Sequence, residues 1–249
     1  MTRLDASTVL LQWATGGLAF LWTTTRHREV GPGYGWLLRG IYLALGVGGL
    51  VAGLMLDTIV VREIATVLLV AGAAVALAVS VRRRADFDPR LDLLAPAAGV
   101  IGLVAAGWSG GSSPVLTVAR TLAGAAFLGA VSDAMLLGHW YLVQPGLPRR
   151  LLVDIVRSLT IVWPFEVSLL LIPTGMLSVF SGSIDDGWGG MLGWFWATCA
   201  VTTLALCFVT RAALKERQYS AVMAATGLLY LAILTAFGTD LVARAVLAG

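Results

Sequence analysis

Residues 64–81 read IATVLLVAGAAVALAVSV, a run of eighteen residues without a single charge. The run is bounded by Arg62 and Glu63 on one side and by Arg82 on the other. As an α-helix it would be about 27 Å long at 1.5 Å per residue, which is close to the thickness of the hydrocarbon core of a bilayer. A soluble core does not need so long an uncharged segment, so this stretch predicts a membrane-spanning helix.

Similar apolar segments follow one another along the rest of the chain, separated by short polar clusters. Of 249 residues, 58% are hydrophobic and only 12% are charged, whereas a soluble domain is about one quarter charged. No segment between the apolar runs is long enough to fold on its own. The sequence therefore predicts an all-α polytopic bundle of about eight transmembrane helices, which forms a single domain over residues 1–249. We predict these helices at 8–25, 35–56, 62–82, 92–109, 114–142, 150–176, 190–212 and 219–246.

The basic residues are sorted to one side of the predicted bundle. Connections 26–39, 82–92, 144–150 and 211–218 lie on the same side and contain twelve of the seventeen Lys and Arg residues. By the positive-inside rule this side faces the cytoplasm, and an even number of helices then puts both termini on the non-cytoplasmic side. The sorting also explains the net charge of +3 without a nucleic-acid partner. The Ala-, Gly- and Arg-rich composition is typical of a bacterium, and we expect the protein in the inner (plasma) membrane.

The two halves of the sequence share a weak pattern. Residues 17–21 read GLAFL and residues 124–128 read GAAFL. Each is followed by a histidine, then by a Pro-Gly pair, and then by an arginine next to two leucines. A duplication would explain this pattern and would give a parallel repeat of four plus four helices. Chance in a sequence rich in small apolar residues is the alternative.

The chain has two histidines, His27 and His139, and the topology predicts both at the cytoplasmic ends of their helices. Two neutral histidines that face each other at one depth in a bundle are the ligand set of a b-type haem. The adjacent Trp140 and Tyr141 would supply aromatic walls for such a group. The alternative is that His27, which lies between two arginines, faces lipid headgroups, and that Trp140 and Tyr141 belong to an interfacial aromatic belt.

Segment 138–150, GHWYLVQPGLPRR, is the most distinctive part of the sequence. It combines an imidazole, two amphipathic rings, a rigid turn and paired arginines at one predicted membrane face. Such a mixture suits a quinone headgroup, because its carbonyls need hydrogen-bond donors and its ring needs an apolar wall. A helix end that is anchored by Trp140 and Tyr141 and followed by a cytoplasmic turn explains the same residues, except for the choice of His139.

Three ionisable residues are predicted within the hydrocarbon region: Asp133, Glu166 and Arg120. Such groups are costly in a membrane and by default indicate a functional interior. We predict that Arg120 pairs with Glu166 at one depth, whereas Asp133 lies near mid-membrane without an evident partner. One interpretation is a proton path from the region of His139 past Asp133 to Glu166. The other is that these groups make polar contacts that hold helices together.

These features support two classes of function and one structural alternative. The leading hypothesis is a membrane subunit of a respiratory or photosynthetic electron-transfer assembly, which binds quinone, haem b or lipid near the cytoplasmic face and contacts other membrane subunits. The alternative is a small secondary transporter or channel that uses the buried carboxyl groups. The third is a purely structural or assembly subunit. The sequence contains no His-Glu zinc motif and no phosphate-binding Gly-Lys-Ser loop, so it assigns no enzyme activity.

Overall fold

The computed structural model describes residues 5–110 and 113–247, which form α-helices joined by short connections. Within these ranges there are nine α-helices, of which eight are long, so the predicted all-α bundle is confirmed. Two 3-10 turns, Arg84–Asp86 and Pro89–Leu93, precede the fourth helix. The helices are α1 Ala6–Thr25, α2 Pro32–Leu56, α3 Val60–Arg83, α4 Leu94–Ser109, α5 Pro114–Val143, α6 Arg150–Leu171, α7 Leu177–Phe180, α8 Met191–Ala213 and α9 Tyr219–Leu247.

The largest difference from the predicted bounds is at the end of α6. The sequence predicts that this helix continues to residue 176, but it ends at Leu171. Pro173 has no N–H to donate to the carbonyl of Leu169, and the residue before a proline is disfavoured in a helix. The chain therefore leaves the helix here, turns, and forms the four-residue α7 before α8 begins. The hydropathy pattern did not predict α7.

Within the described ranges, six helices are long and apolar enough to cross a membrane by themselves: α2, α3, α4 with its preceding 3-10 turn, α5, α8 and α9. The other two long helices are more polar. Helix α6 contains four charged residues, and α1 carries seven serine, threonine and glutamine side chains among its twenty residues. The chain is thus a multi-pass membrane protein in which two polar helices pack among six apolar ones.

Helix α1 is enclosed by α2, α4 and α5, and twelve of its residues are buried. Two of its side chains donate hydrogen bonds to α5. The amide of Gln12 donates to the carbonyl oxygen of Thr121 at 2.8 Å, and the indole of Trp13 donates to the hydroxyl of Ser132 at 2.8 Å. Because lipid offers no hydrogen bonds, a helix with this composition is stable in a membrane only when protein surrounds it.

The two halves of the bundle have the same packing pattern. In the first half, α1 packs on α2, α2 on α3, α3 on α4, and α4 returns to α1. In the second half, α5, α6, α8 and α9 form a ring in the same order, with α9 packed on α5. The halves meet where α5 packs on α1 and α4. This arrangement agrees with four plus four helices, and the duplication itself stays a prediction.

The two ends of the bundle are named here by their residues. The terminal face is the end at which α1 begins and α9 ends, where Asp5, Thr8 and Leu247 line a common cavity. The basic face is the opposite end and contains the four connections that hold twelve of the seventeen Lys and Arg residues.

The contact between the halves depends on glycines. A β-carbon at Gly16 in α1 would overlap the carbonyl oxygen of Ala125 in α5, and a β-carbon at Gly129 would overlap the backbone of Gly16. Small residues allow two membrane helices to approach at backbone distance, where van der Waals contact is greatest. Glycine at these positions thus fixes the separation of α1 and α5, which in turn positions the polar residues between them.

We expect Gly16→Ala to destabilise the protein by about 1–3 kcal/mol, the usual cost of overpacking a close contact. The measurement is the thermal unfolding midpoint of the purified protein in detergent. The matched control is Gly40→Ala in α2, where a β-carbon would meet no atom within 4 Å and alanine should be neutral or stabilising. Equal midpoints for Gly16→Ala and the wild type would contradict the close contact.

Candidate functional site

The structure gives the two histidines separate partners. His27 is exposed in the connection after α1, and its Nε2 accepts a hydrogen bond from the Nε–H of Arg26 at 3.2 Å. His139 is exposed on α5, and its Nδ1 lies 3.2 Å from the hydroxyl of Tyr230 on α9. The imidazole of His139 also packs edge-on against the ring of Tyr230. Each histidine is thus engaged with its own neighbour, one beside α1 and the other between α5 and α9.

Trp140 and Tyr141 hold the end of α5 to the connections around it. The indole of Trp140 donates to Gln144 at 3.2 Å and packs near the ring of Tyr34 on α2. The buried hydroxyl of Tyr141 donates to the carbonyl oxygen of Pro148 at 2.7 Å. Both side chains therefore anchor the turn after α5. Among the described residues, neither of them is hydrogen-bonded to His139 or packed against its ring.

Asp133 has a partner that the sequence did not indicate. Its Oδ1 accepts a short hydrogen bond from the hydroxyl of Tyr42 on α2, and the ring of Tyr42 packs against Gly17 of α1, where a β-carbon would overlap it. Asp133 is completely buried. Its second oxygen has no hydrogen-bond partner among the described residues, and the buried hydroxyl of Tyr34 lies near this carboxyl group. The carboxyl therefore lies in a polar pocket between α1, α2 and α5, away from the exposed His139.

Glu166 on α6 is also completely buried, and neither of its oxygens has a hydrogen-bond donor among the described residues. The carboxyl group of Asp240 on α9 faces it, and Arg244 and Arg120 are near it. Two ionised carboxylates are both acceptors, so a hydrogen bond between them requires a proton on one of the two. The i,i+4 spacing of Asp240 and Arg244 predicts their ion pair, whereas the sequence did not indicate that Asp240 faces Glu166.

Arg120 has partners other than the predicted Glu166. The Nε–H of Arg120 donates to the carbonyl oxygen of Leu169 at 2.9 Å. A terminal N–H of the same guanidinium donates to the carbonyl oxygen of Ile172 at 2.5 Å. The Leu169 carbonyl lacks a helical donor because Pro173 follows four residues later. Arg120 thus caps the end of α6, and the proline that ends the helix creates the acceptor.

Arg244 forms the ion pair of this region. Its Nε–H lies 2.8 and 2.9 Å from the two carboxylate oxygens of Asp240, and a terminal N–H donates to the carbonyl oxygen of Arg120 at 3.0 Å. The group packs over Gly124 of α5, where a β-carbon would overlap Arg244, Asp240 and Gln12. We call Gln12, Arg120, Glu166, Asp240 and Arg244 the polar cluster.

A cavity of about 330 Å³ lies above the polar cluster at the terminal face. Arg120 and Arg244 line it, and Leu170 on its wall is one helical turn above Glu166. Gln12 also lines the cavity, and its buried carbonyl oxygen has no hydrogen-bond donor among the described residues. The remaining lining residues are Asp5, Thr8, Val9, Ala106, Gly107, Gly110, Thr117, Thr121 and Leu247.

A second cavity, of about 410 Å³, lies at the basic face between the ends of α1, α2 and α3. It is bordered by Thr25 and Arg39. Arg39 holds the buried Asp92 with two hydrogen bonds of 2.7 Å, and the hydroxyl of Thr25 reaches the same carboxylate at 3.3 Å. The buried contact between Tyr42 and Asp133 lies beside Gly17 of α1, between the levels of the two cavities.

The connection before α8 contains a carboxylate whose role the sequence did not reveal. Asp186 accepts hydrogen bonds of 2.9 Å from the backbone N–H groups of Trp188, Gly190 and Leu192 at the start of α8. These N–H groups, that of Gly190 first, hold the pKa of the Asp186 carboxyl below its usual range. Gly190 has a left-handed backbone, with φ 86°, which brings its N–H to the carboxylate. Asp186 thus caps α8.

Comparisons of the chain with protein-family models, with curated proteins and with solved structures gave no match.

The capping role of Asp186 predicts a pH dependence. Because its pKa is lower in the folded protein than in the unfolded chain, the stabilisation is complete above about pH 4, the ordinary value for aspartate, and is lost as the pH falls through the folded pKa. We expect Asp186→Asn to lower the thermal unfolding midpoint at pH 7, and the difference from wild type to shrink as the pH falls below 4. Asp185→Asn is the control, since Asp185 is exposed and accepts from Gly187 alone. A difference that is independent of pH would contradict this role.

Proposed function

We propose that the protein is a small secondary transporter that carries a small anion together with a proton, and that the polar cluster is its binding site. The observation that carries the proposal is Glu166, a fully buried carboxyl group without a hydrogen-bond donor among the described residues, one helical turn below an arginine-lined cavity. A carboxyl group in such a place is costly unless it serves a function. Proton uptake is the function that its surroundings favour.

Charge balance supports the coupling of the two substrates. Arg244 is neutralised by Asp240, and Arg120 contacts only backbone carbonyls in its hydrogen bonds. When Glu166 is ionised, it balances the charge of Arg120, and the polar cluster is neutral. When Glu166 carries a proton, the cluster has one excess positive charge beneath the cavity. An anion therefore binds better after protonation, and by linkage the anion favours protonation.

The cavity has the size and the groups that a small anion requires. Its volume of about 330 Å³ is at the lower end of small-molecule sites. Two guanidinium groups and the hydroxyls of Thr8, Thr117 and Thr121 border it. Asp5 at the mouth is paired with Arg62 at 2.9 Å, and Glu63, which also binds Arg62, does not line the cavity. A carboxylate of a few carbon atoms fits this description best.

The polar groups along α1 support a route to the other face. From the polar cluster, this route follows Tyr42 and Asp133 to Thr25 and the cavity at the basic face. The path predicted from the sequence starts in the region of His139. The route proposed here does not include His139, which is exposed beside Tyr230. By the positive-inside rule the basic face is cytoplasmic in the plasma membrane, so the arginine-lined cavity would open outward and both termini would lie outside.

The test uses purified protein in liposomes, with a panel of labelled short hydroxycarboxylates and dicarboxylates added to the external medium. For the wild type we expect net uptake driven by a pH gradient, acid outside. Glutamine has the shape and charge of protonated glutamate, so Glu166→Gln should reduce this uptake to the level of protein-free liposomes. It should still exchange labelled for unlabelled anion across the membrane, because exchange does not require the proton to be released.

The control for this experiment is Asp154→Asn, which makes the same type of change at an exposed acid of the same helix. It should leave both net uptake and exchange unchanged. Net uptake by Glu166→Gln at the wild-type rate would contradict the coupling. Absence of both uptake and exchange for every anion in the wild type would contradict the transporter and leave the electron-transfer and structural alternatives.

We also keep a second proposal, that the chain is an electron-transfer subunit that binds a quinone, haem b or lipid together with other membrane subunits. One observation supports it. His139 and the partly exposed Tyr230 form a pair of hydrogen-bonding rings on the surface of α5 and α9, in the half of these helices nearer the basic face. Such a pair is able to contact the carbonyl of a quinone that lies in the membrane.

Purified protein should then contain a quinone that His139→Ala releases, or a b-type band in the reduced-minus-oxidised spectrum that the same substitution removes. Quinone is measured by solvent extraction and chromatography. Tyr219→Phe is a useful control, because Tyr219 also donates from α9 to α5, but to the backbone of Tyr141. Neither quinone nor haem in the wild type would contradict the second proposal.

A further inference from the structure

Two arginine side chains at the cavity of the basic face have no hydrogen-bond or ion-pair partner among the described residues. Arg28 and Arg84 line it from opposite sides, one before α2 and one after α3. Both are exposed, and neither guanidinium takes part in the hydrogen bonds or ion pairs of the described residues. The third arginine, Arg39, is neutralised by Asp92 at 2.7 Å. The cavity therefore has two positive charges that are free to bind an anion.

The backbone at these two arginines is unusual. Arg28 has φ 55° and Arg84 has φ 47°, and they are the two non-glycine residues with positive φ in the part of the chain that the structure describes. Residues other than glycine adopt this region at a cost, and such positions concentrate at binding sites. Both residues border the same cavity. We therefore infer that the unusual backbone there positions the two arginine side chains at the cavity.

Two further polar groups at this cavity have no partner among the described residues. They are the indole N–H of Trp36, which is a donor, and Oε2 of Glu29, which is an acceptor. The other carboxylate oxygen of Glu29 is bound by Arg150. A ligand that satisfies all of these groups needs an anionic centre with several acceptor oxygens and, beside it, a hydroxyl or ammonium donor. A phosphodiester that carries a glycerol group has both.

The surroundings of the cavity favour a ligand from the membrane. Next to Trp36 and Ser80 in sequence, Leu37 and Val81 are each 46% exposed and present apolar surface on α2 and α3. Acyl chains would lie against these residues while the headgroup enters the cavity. The basic face is also the side that the positive-inside rule assigns to the cytoplasm, where the leaflet is rich in anionic lipids.

We propose that this cavity binds the headgroup of an anionic phospholipid, with the phosphate between Arg28 and Arg84 and a headgroup hydroxyl at Glu29. This cavity is also where the proposed transport route ends, but the site lies at the opposite end of the bundle from the polar cluster and the lipid proposal does not rest on transport. Its occupant would join the connection after α1 to the end of α3. Phosphatidylglycerol fits these groups, whereas the trimethylammonium group of phosphatidylcholine has no hydrogen to donate to Glu29.

The test is native mass spectrometry of the purified full-length protein, released from detergent in the presence of phosphatidylglycerol or phosphatidylcholine. We expect the wild type to retain one phosphatidylglycerol in preference to phosphatidylcholine. The double variant Arg28→Gln, Arg84→Gln should lower the apparent affinity for phosphatidylglycerol roughly tenfold or more, since the two guanidinium groups supply the positive charge that attracts the phosphate. Because the two guanidiniums have no partners, the variant should keep the wild-type circular dichroism spectrum.

The matched control is Arg82→Gln, Arg83→Gln, which removes the same charge from exposed positions at the end of α3 that do not line the cavity. It should retain the lipid, so that attraction to the basic face in general is separated from this site. Equal retention by both double variants, or equal retention of the two lipids by the wild type, would overturn the proposal. Thermal stabilisation by soluble glycerol phosphate that matches the effect of phosphatidylglycerol would also overturn it, in favour of a soluble phosphate compound.

Discussion

A bilayer offers no hydrogen bonds, and this constraint governs the position of α1. The helix has seven polar side chains, so it is stable only where α2, α4 and α5 surround it. Once α1 is enclosed, its Gln12 lines the cavity at the terminal face and its Thr25 the cavity at the basic face, and its glycines set the distance to α5. The Tyr42–Asp133 contact depends on this placement because its helices α2 and α5 both pack on α1, and α1 brings Gln12 to the polar cluster at Gly124.

Much of the fold follows from the sequence because hydropathy and helix length are local properties. The eight predicted segments correspond to the eight long helices, of which six are apolar enough to span a membrane by themselves, and the basic connections gave one basic face. The main error was at the end of α6, where the apolar residues continue to position 176 although Pro173 ends the helix. A proline at that place was visible in the sequence, and its missing N–H also explains why the Leu169 carbonyl is free to accept from Arg120.

The partners of the buried polar residues could not be predicted, because hydropathy gives the length of a membrane helix and not its rotation about its own axis. Glu166 and Asp133 were found as costly charges, but Asp240 and Tyr42, which face them, lie on helices that are distant in sequence. Gly124, which leaves room for the ion pair, gave no signal in a chain with 29 glycines. His27 and His139, in contrast, were predicted as a ligand pair because they are the two histidines of the sequence. The structure gives each of them its own local partner.

The four charged residues of α6 also affect how the chain inserts into the membrane during synthesis. A ribosome adds about 5–20 residues per second, and Arg244 follows Glu166 by 78 residues. For roughly 4–16 seconds at that rate, a nascent chain therefore has α6 without the ion pair of α9 beside it. Helix α6 is too charged to enter lipid unaided, and among the helices already synthesised it packs chiefly on α5. Its insertion thus relies on α5, and the polar cluster is completed only when the last helix of the chain arrives.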